Sequence, residues 1–191
     1  MDTYDNYIVW IDERTSDFRK HNCDFEDSLN KLGIKLARCD EGDATGNLAR
    51  GRRCIENCHR TLSEIHEGNI QTPLGVVLDV NIPVDDLSGF SDSYRSINTY
   101  SGSYTGFLIA QYVISSLEQG SPYKGYFNKV PILFLSVHKF TETNEYTKWM
   151  GEEYSEYNDS DQFTKYTHLE KHFTAAEVVM PITKWARSLS S

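Results

Sequence analysis

The chain has 191 residues, of which 39% are hydrophobic and 25% are charged, and its formal net charge is −9. These values are typical of one globular domain with a full hydrophobic core. The excess of acidic residues argues against nucleic-acid binding and against anionic membranes, because both need a basic face. We find no apolar run long enough to span a bilayer and no signal peptide at the N-terminus, so we expect a cytoplasmic protein.

In the first half of the chain, two predicted strands end at acidic side chains. The apolar run of residues 7–11 leads directly to Asp12 and Glu13, and the run of residues 75–80 carries Asp79. Short uncharged runs rich in β-branched residues are typical of strands buried on both faces of a parallel sheet. Apolar spacing predicts the elements between them, which are a helix through Phe18, Phe25, Leu29 and Leu32 that ends at Gly33, a short strand over 34–37 and a longer surface helix over 47–67.

The second half of the chain begins with residues 84–104, which are rich in Ser, Tyr and Asp and have little apolar periodicity. This composition predicts a long inserted loop, and loops of this length are usually functional or disordered. The elements predicted after it are a helix over 105–117, a buried strand over 130–137 that contains Ser136, helical pieces over 142–157 and 159–172, a fifth strand over 176–180 stopped by Pro181, and a terminal helix over 182–189.

The alternation of strands and helices predicts an α/β protein with a flavodoxin-like, doubly wound fold and a single domain over residues 1–191. Its five-stranded parallel sheet would have the strand order 2-1-3-4-5, with helices on both faces. In that order, Asp12 and Asp79 face each other across the crevice at the carboxyl ends of strands one and three. Two facing carboxylates need a cation or a proton between them, and oxygen ligands suit Mg²⁺. Ser136 ends the adjacent strand and offers a hydroxyl donor.

These motifs, in this order, resemble the receiver domain of two-component response regulators. The resemblance implies that Asp79 is the phosphoacceptor and that Ser136 is the hydroxyl of the family's switch. It also implies that Asp12, Asp79 and the backbone carbonyl of Asn81 bind Mg²⁺, with Glu13 as a weaker candidate because Ile11 occupies the position of the first of two acidic residues in many receivers.

The sequence also departs from the receiver pattern. With the fifth strand at 176–180, Met180 stands where the family has a phosphate-contacting Lys before a usually cis Pro, and Glu177 stands where it has an aromatic switch residue. The region over about 140–175 is longer than in the family, and the 84–104 loop is an insertion beside the acceptor. Lys139 and Lys184 are possible substitutes for the missing lysine, although ordinary surface positions explain them better.

The retained acceptor and the missing lysine favour a divergent receiver without an output domain, which acts through a protein partner and is not an enzyme. A histidine kinase, a phosphotransfer protein or a second copy of this chain are the partners that the resemblance implies. One alternative is a receiver that is still phosphorylated on Asp79 with Mg²⁺. Another is a phosphate-handling enzyme that uses Asp12 and Asp79, although the motif of haloacid-dehalogenase-like phosphatases does not fit, because Asn81 cannot transfer a proton.

Overall fold

The structure is a computed structural model that describes residues 6–14, 25–40, 42–84, 105–114, 129–137, 150–158, 162–171 and 175–190. The strands in these residues are β1 (Tyr7–Ile11), β2 (Lys35–Cys39), β3 (Gly75–Asp79), β4 (Ile132–Ser136), β5 (Tyr154–Glu156) and β6 (Tyr166–Glu170). The α-helices are α1 (Phe25–Asn30), α2 (Asn47–His66), α3 (Thr105–Ile109) and α4 (Ala175–Leu189). Helix α3 continues as a π-helical turn over Ala110–Ile114, and a 3₁₀ helix covers Gly151–Glu153. None of these helices combines the length and the apolar character that a membrane span requires.

The strands form one sheet of six strands in the order β2-β1-β3-β4-β6-β5. Every neighbouring pair in it is parallel. This arrangement confirms the predicted flavodoxin-like fold, with one more strand than the sequence indicated. Every residue of β1, β3 and β4 is buried, as their uncharged sequences predict for strands covered on both faces.

Hydrophobic side chains of the central strands alternate between two separate cores. On β3, Val76 and Leu78 belong to the core beneath α2 and α3, whereas Val77 belongs to the core beneath α1 and α4. This alternation follows from the two-residue repeat of a strand. Two of the described helices lie on each face, which makes the sheet doubly wound and leaves the carboxyl ends of its strands free to form a site.

The fifth strand predicted over 176–180 is wrong, because these residues belong to helix α4. Val178, Ile182 and Trp185 are buried at spacings of four and three, which places them on one helix face, while Met180 on another face is 63% exposed. Pro181 does not stop a strand but lies inside the helix, and the described residues contain no cis peptide bond.

The strand that pairs with β4 is instead β6, within a region predicted to be helical. The prediction of a helix over 159–172 is therefore wrong for the described residues 162–171. The described end of the predicted helix over 142–157 is also different, because it forms the 3₁₀ helix and the short edge strand β5. Phe18, Lys139 and nearly all of the predicted 84–104 loop lie outside the described residues.

Candidate functional site

Four of the predicted site residues meet where the carboxyl ends of the central strands meet. Asp12 and Glu13 follow β1, Asp79 is the last residue of β3, and Ser136 is the last residue of β4. Their exposed fractions are 0% for Asp12, 7% for Glu13, 3% for Asp79 and 1% for Ser136. The parallel sheet thus collects three acidic side chains and a hydroxyl in a region with little contact with water.

The three acidic side chains form a compact cluster. One carboxylate oxygen from each of Asp12, Glu13 and Asp79 can be chosen so that all three lie within 4.8 Å of one another. Hard divalent cations such as Mg²⁺ prefer carboxylate oxygens, and they keep several waters when few protein ligands are present. The donor set therefore fits a magnesium ion, and it includes Glu13, which the sequence ranked below Asp12.

A lysine that the sequence analysis missed lies between the two aspartates. The Nζ atom of Lys171 is 3.0 Å from Asp12 Oδ2 and 2.7 Å from Asp79 Oδ2, and the side chain is 15% exposed. Lys171 directly follows β6, and its main-chain N–H donates to the carbonyl of Ser136. The interpretation that Met180 replaces the site lysine is therefore wrong, because a lysine is present at the end of the true neighbour of β4.

The remaining oxygens of the two aspartates are held by the main chain. Asp12 Oδ1 accepts a hydrogen bond from the N–H of Arg14 at 2.8 Å. Asp79 Oδ1 accepts one from the N–H of Asn81 at 3.1 Å. Each carboxylate thus has one oxygen on a backbone donor and the other on Lys171, so both rotamers are fixed. The N–H of Asn81 thus contributes to the site by donating to Asp79, while binding of Mg²⁺ by its carbonyl stays a prediction.

Burial and mutual repulsion shift the proton affinities of the cluster. Burial, followed by the charges of Asp12 and Asp79, raises the pKa of Glu13 to about 8. Burial and Asp12 also raise the pKa of Asp79, although Lys171 and the N–H of Asn81 oppose that shift. Burial disfavours the ammonium of Lys171, but Asp12 and Asp79 outweigh it and raise the lysine pKa. These shifts favour a protonated Glu13 and a charged Lys171 near neutral pH.

Two other residues weighed in the sequence lie on helix α4. Glu177 is exposed in the first turn, so its interpretation as the counterpart of an aromatic switch residue is wrong together with the strand on which it depended. Lys184 is half-buried on the same helix. The site lysine was missed because the sequence of β6, Tyr-Thr-His-Leu-Glu, is polar, but its two adjacent β-favouring residues, Tyr166 and Thr167, were a signal for a strand.

No protein-family model matches the sequence, and no curated protein sequence matches it either. Among solved structures, the chain is similar to the Vibrio cholerae chemotaxis protein CheY4 crystallised at low pH, with 17% identity, a TM-score of 0.43 and coverage of 94% of this chain and 97% of that one. A second structure, of the chemotaxis response regulator CheY4 of Vibrio cholerae, gives 15% identity, a TM-score of 0.44 and coverage of 95% and 98%. The fold assignment itself rests on the strand order of this protein.

Proposed function

We propose that this protein is a receiver-type signalling module that accepts a phosphoryl group on Asp79 in the presence of Mg²⁺. The observation that carries the proposal is the position of Lys171, whose ammonium lies within 3.0 Å of both Asp12 and Asp79. A point charge at this place suits an acceptor carboxylate, because the same ammonium can pair with phosphoryl oxygens after transfer. This reading replaces the divergent receiver as the favoured function.

The transfer itself needs one nucleophile and one activated donor. A carboxylate oxygen of Asp79 attacks the phosphorus of a small acyl phosphate or of a phosphohistidine, and the bond from phosphorus to the donor atom breaks. The product is an aspartyl phosphate, and the donor leaves with the electron pair of the broken bond. Asp12, Asp79, Glu13 and the carbonyl of Asn81 would hold Mg²⁺, which would neutralise charge on the phosphoryl oxygens.

The surrounding residues support the same chemistry. Asp79 Oδ1 is held by the N–H of Asn81, which orients the carboxylate. Ser136 ends the strand beside Asp79 and is buried at the same edge of the sheet, and its hydroxyl would donate to a phosphoryl oxygen. A protein partner would recognise whether the site is phosphorylated. A histidine kinase or a phosphotransfer protein is the type of partner that would supply the phosphohistidine donor.

The experiment is to incubate the protein with acetyl phosphate and Mg²⁺ and to measure its intact mass. We expect the mass gain of one phosphoryl group, which is lost when Mg²⁺ is chelated and is absent in Asp79→Asn. Trp10, buried in β1 two residues before Asp12, is the fluorescence reporter for Mg²⁺ and for beryllofluoride. A protein that stays unmodified and shows no fluorescence response would contradict the proposal and return the favoured role to binding of a protein partner.

The same samples test the enzymatic alternative. A phosphate-handling enzyme would release inorganic phosphate continuously from a phosphoester substrate, and Asp79→Ala would abolish that turnover. A receiver-type module is instead modified once per molecule and does not turn over phosphoesters. Steady release from several phosphoesters would overturn the proposal in favour of an enzyme.

A further inference from the structure

The segment that follows Asp79 is held in place along its inner side. Val80, Ile82 and Val84 are buried, with exposed fractions of 0%, 0% and 4%. The N–H of Val80 donates to the carbonyl of Leu135 at 2.9 Å, which extends the pairing of β3 with β4 by one residue. We call residues 79–84 the acceptor segment, because it begins at Asp79 and includes Asn81.

One end of the acceptor segment is in direct backbone contact with helix α3. A Cβ atom on Gly106, in the first turn of that helix, would lie 2.0 Å from the carbonyl oxygen of Asp79 and 2.8 Å from the Cα of Val80. Real Cβ atoms essentially never approach another atom within 3.0 Å. The N–H of Gly106 donates to the carbonyl of Val80 at 3.0 Å, so the helix both touches and hydrogen-bonds the segment.

The other end of the segment is in backbone contact with helix α2. A Cβ atom on Gly51 would lie 1.8 Å from the carbonyl oxygen of Pro83 and 2.7 Å from its carbonyl carbon. Gly51 is buried within the first turns of α2, where glycine lowers helix stability by roughly 0.5–1 kcal/mol relative to alanine. The contact with Pro83 therefore needs a residue that the helix itself disfavours.

We propose that Gly51 and Gly106 are positioning residues that fix the main chain of the acceptor segment from both ends. With its two ends in contact with α2 and α3, the segment keeps Asn81 at one distance from Asp12 and Asp79. As a consequence, the segment is preorganised for Mg²⁺ binding and for phosphoryl transfer to Asp79. This consequence rests on the proposed function. A methyl group at either position has to displace the segment, because the atoms it meets belong to the backbone and cannot rotate away.

The other glycines differ in what surrounds them. Gly33, Gly68 and Gly151 have positive φ angles of 71°, 76° and 54°, and no atom lies within 4 Å of an added Cβ. At these three positions glycine is favoured by the backbone conformation and not by a close contact. Gly75 meets side-chain atoms of the C-terminal helix rather than backbone. Close approach to the main chain within 3.0 Å is thus limited, among the described glycines, to Gly51 and Gly106, and both approach the same segment.

The first test is amide hydrogen exchange of the unaltered protein, followed by NMR. The N–H of Gly106, which donates to Val80, should exchange as slowly as the amides of β3 if the acceptor segment is fixed. The N–H of Gly42 is the reference for rapid exchange, because its hydrogen bond to Asp40 Oδ1 is exposed to solvent. Exchange of Gly106 at the rate of Gly42 would overturn the proposal, whether or not the protein binds Mg²⁺.

The second test compares Gly51→Ala and Gly106→Ala with Gly68→Ala. We expect the first two to shift the amide resonances of Asn81 and Ile82 and to weaken Mg²⁺ binding, measured by Trp10 fluorescence, by about 10- to 100-fold, as displaced supports of metal ligands do. Gly68→Ala is the matched control, because its positive φ makes alanine unfavourable in a place remote from the segment. It should lower the melting temperature while leaving Mg²⁺ affinity and the Asn81 resonance unchanged.

The outcomes separate this inference from the proposed function. Mg²⁺ affinities in Gly51→Ala and Gly106→Ala equal to that of the unaltered protein would overturn the inference and leave the function intact. If the unaltered protein binds no Mg²⁺, the proposed function fails, and the exchange rate of Gly106 and the resonance shifts in Gly51→Ala decide the positioning role on their own. If either variant does not fold, the exchange measurement, which needs no substitution, decides in the same way.

Discussion

At the scale of single residues, the decisive group is Lys171, which holds two buried carboxylates together. Lys171→Met leaves Asp12 and Asp79 facing each other without a cation, and breaking a buried ion pair from one side costs about 3–5 kcal/mol. We expect the free energy of unfolding, measured with urea near pH 7, to fall by that amount. The loss should shrink as the pH is lowered, because the raised pKa of Asp79 rises further without Lys171 and a proton then replaces the missing cation.

Lys165→Met is the matched control for that experiment. Lys165 pairs with Glu153 at 3.0 Å, but the two side chains are 25% and 57% exposed. Exposed pairs contribute about 0–1 kcal/mol, so this variant should differ little from the unaltered protein near neutral or at lower pH. Equal losses in Lys171→Met and Lys165→Met would show that Lys171 does not stabilise the aspartates.

Glu13 gives a pH dependence of stability whose sign follows from its raised pKa. The unfolded chain releases this proton near the usual pKa of 4.5, while the folded protein keeps it until about pH 8. Within that window the folded state binds more protons than the unfolded state, so stability falls as the pH rises. The glutamine in Glu13→Gln cannot ionise, so the variant lacks the pH dependence of stability that Glu13 contributes. We expect the urea midpoint of the variant to rise relative to the unaltered protein between about pH 5 and about pH 9.

The exposed Glu153 provides the comparison for Glu13. Its side chain is 57% exposed, so Glu153→Gln controls for the replacement of a glutamate on the surface, which should change the urea midpoint little. If Glu13→Gln has the same midpoints as Glu153→Gln, then Glu13 is not held protonated by its buried neighbours.

At the scale of elements, Gly75 sets how closely helix α4 packs on strand β3. A Cβ there would lie 2.6 Å from Cη2 of Trp185 and 2.7 Å from Cδ1 of Leu189. Gly75→Ala should therefore cost about 1–3 kcal/mol through overpacking. The smaller ring of Trp185→Phe makes room for the methyl group, so we expect the double variant to lose less than the sum of the two single variants. Urea unfolding of all four proteins measures this coupling, and strictly additive losses would contradict the contact.

The elements also show what the sequence predicts and where local pattern fails. Strands β1, β3 and β4 were predicted because their uncharged runs are long enough to indicate burial on both faces. The apolar run at 176–180 was assigned to a strand, although Val178, Ile182 and Trp185 follow helical spacing. Strand β6 is polar in sequence and is buried only because it pairs with β4 and β5, which is tertiary information.

The misassignment of β6 as a helix explains which site residues were predicted and which were not. Asp12, Asp79 and Ser136 lie at the carboxyl ends of strands that their own sequences define, so the topology alone placed them together. Lys171 directly follows the strand that was predicted as a helix, so the prediction put Met180 at the position of the site lysine and counted that lysine as missing, whereas Met180 lies on the surface of α4. The contacts of Gly51 and Gly106 with the acceptor segment depend on the packing of whole helices, and no local pattern predicts them.

At the scale of the whole molecule, the chain has a net charge of −9, and three of its carboxyl groups, those of Asp12, Glu13 and Asp79, are buried together in one crevice. Lys171 supplies one positive charge to them, and the proton on Glu13 removes one negative charge near neutral pH. A divalent cation that enters this crevice has to compete with both. Binding should therefore strengthen as the pH rises through about 8, where the proton on Glu13 no longer needs displacement.

Binding of Mg²⁺ only to the folded protein must also raise its thermal stability. At about 100 times the dissociation constant the gain is about 2.7 kcal/mol, which corresponds to several degrees in melting temperature for a chain of this size. NaCl at matched ionic strength is the necessary control, because screening alone relieves repulsion among the surface charges. We expect MgCl₂ to raise the melting temperature above the NaCl value in the unaltered protein and not in Asp12→Asn, which lacks one charged ligand. Equal effects of the two salts would mean that the crevice is held by Lys171 alone and takes no metal.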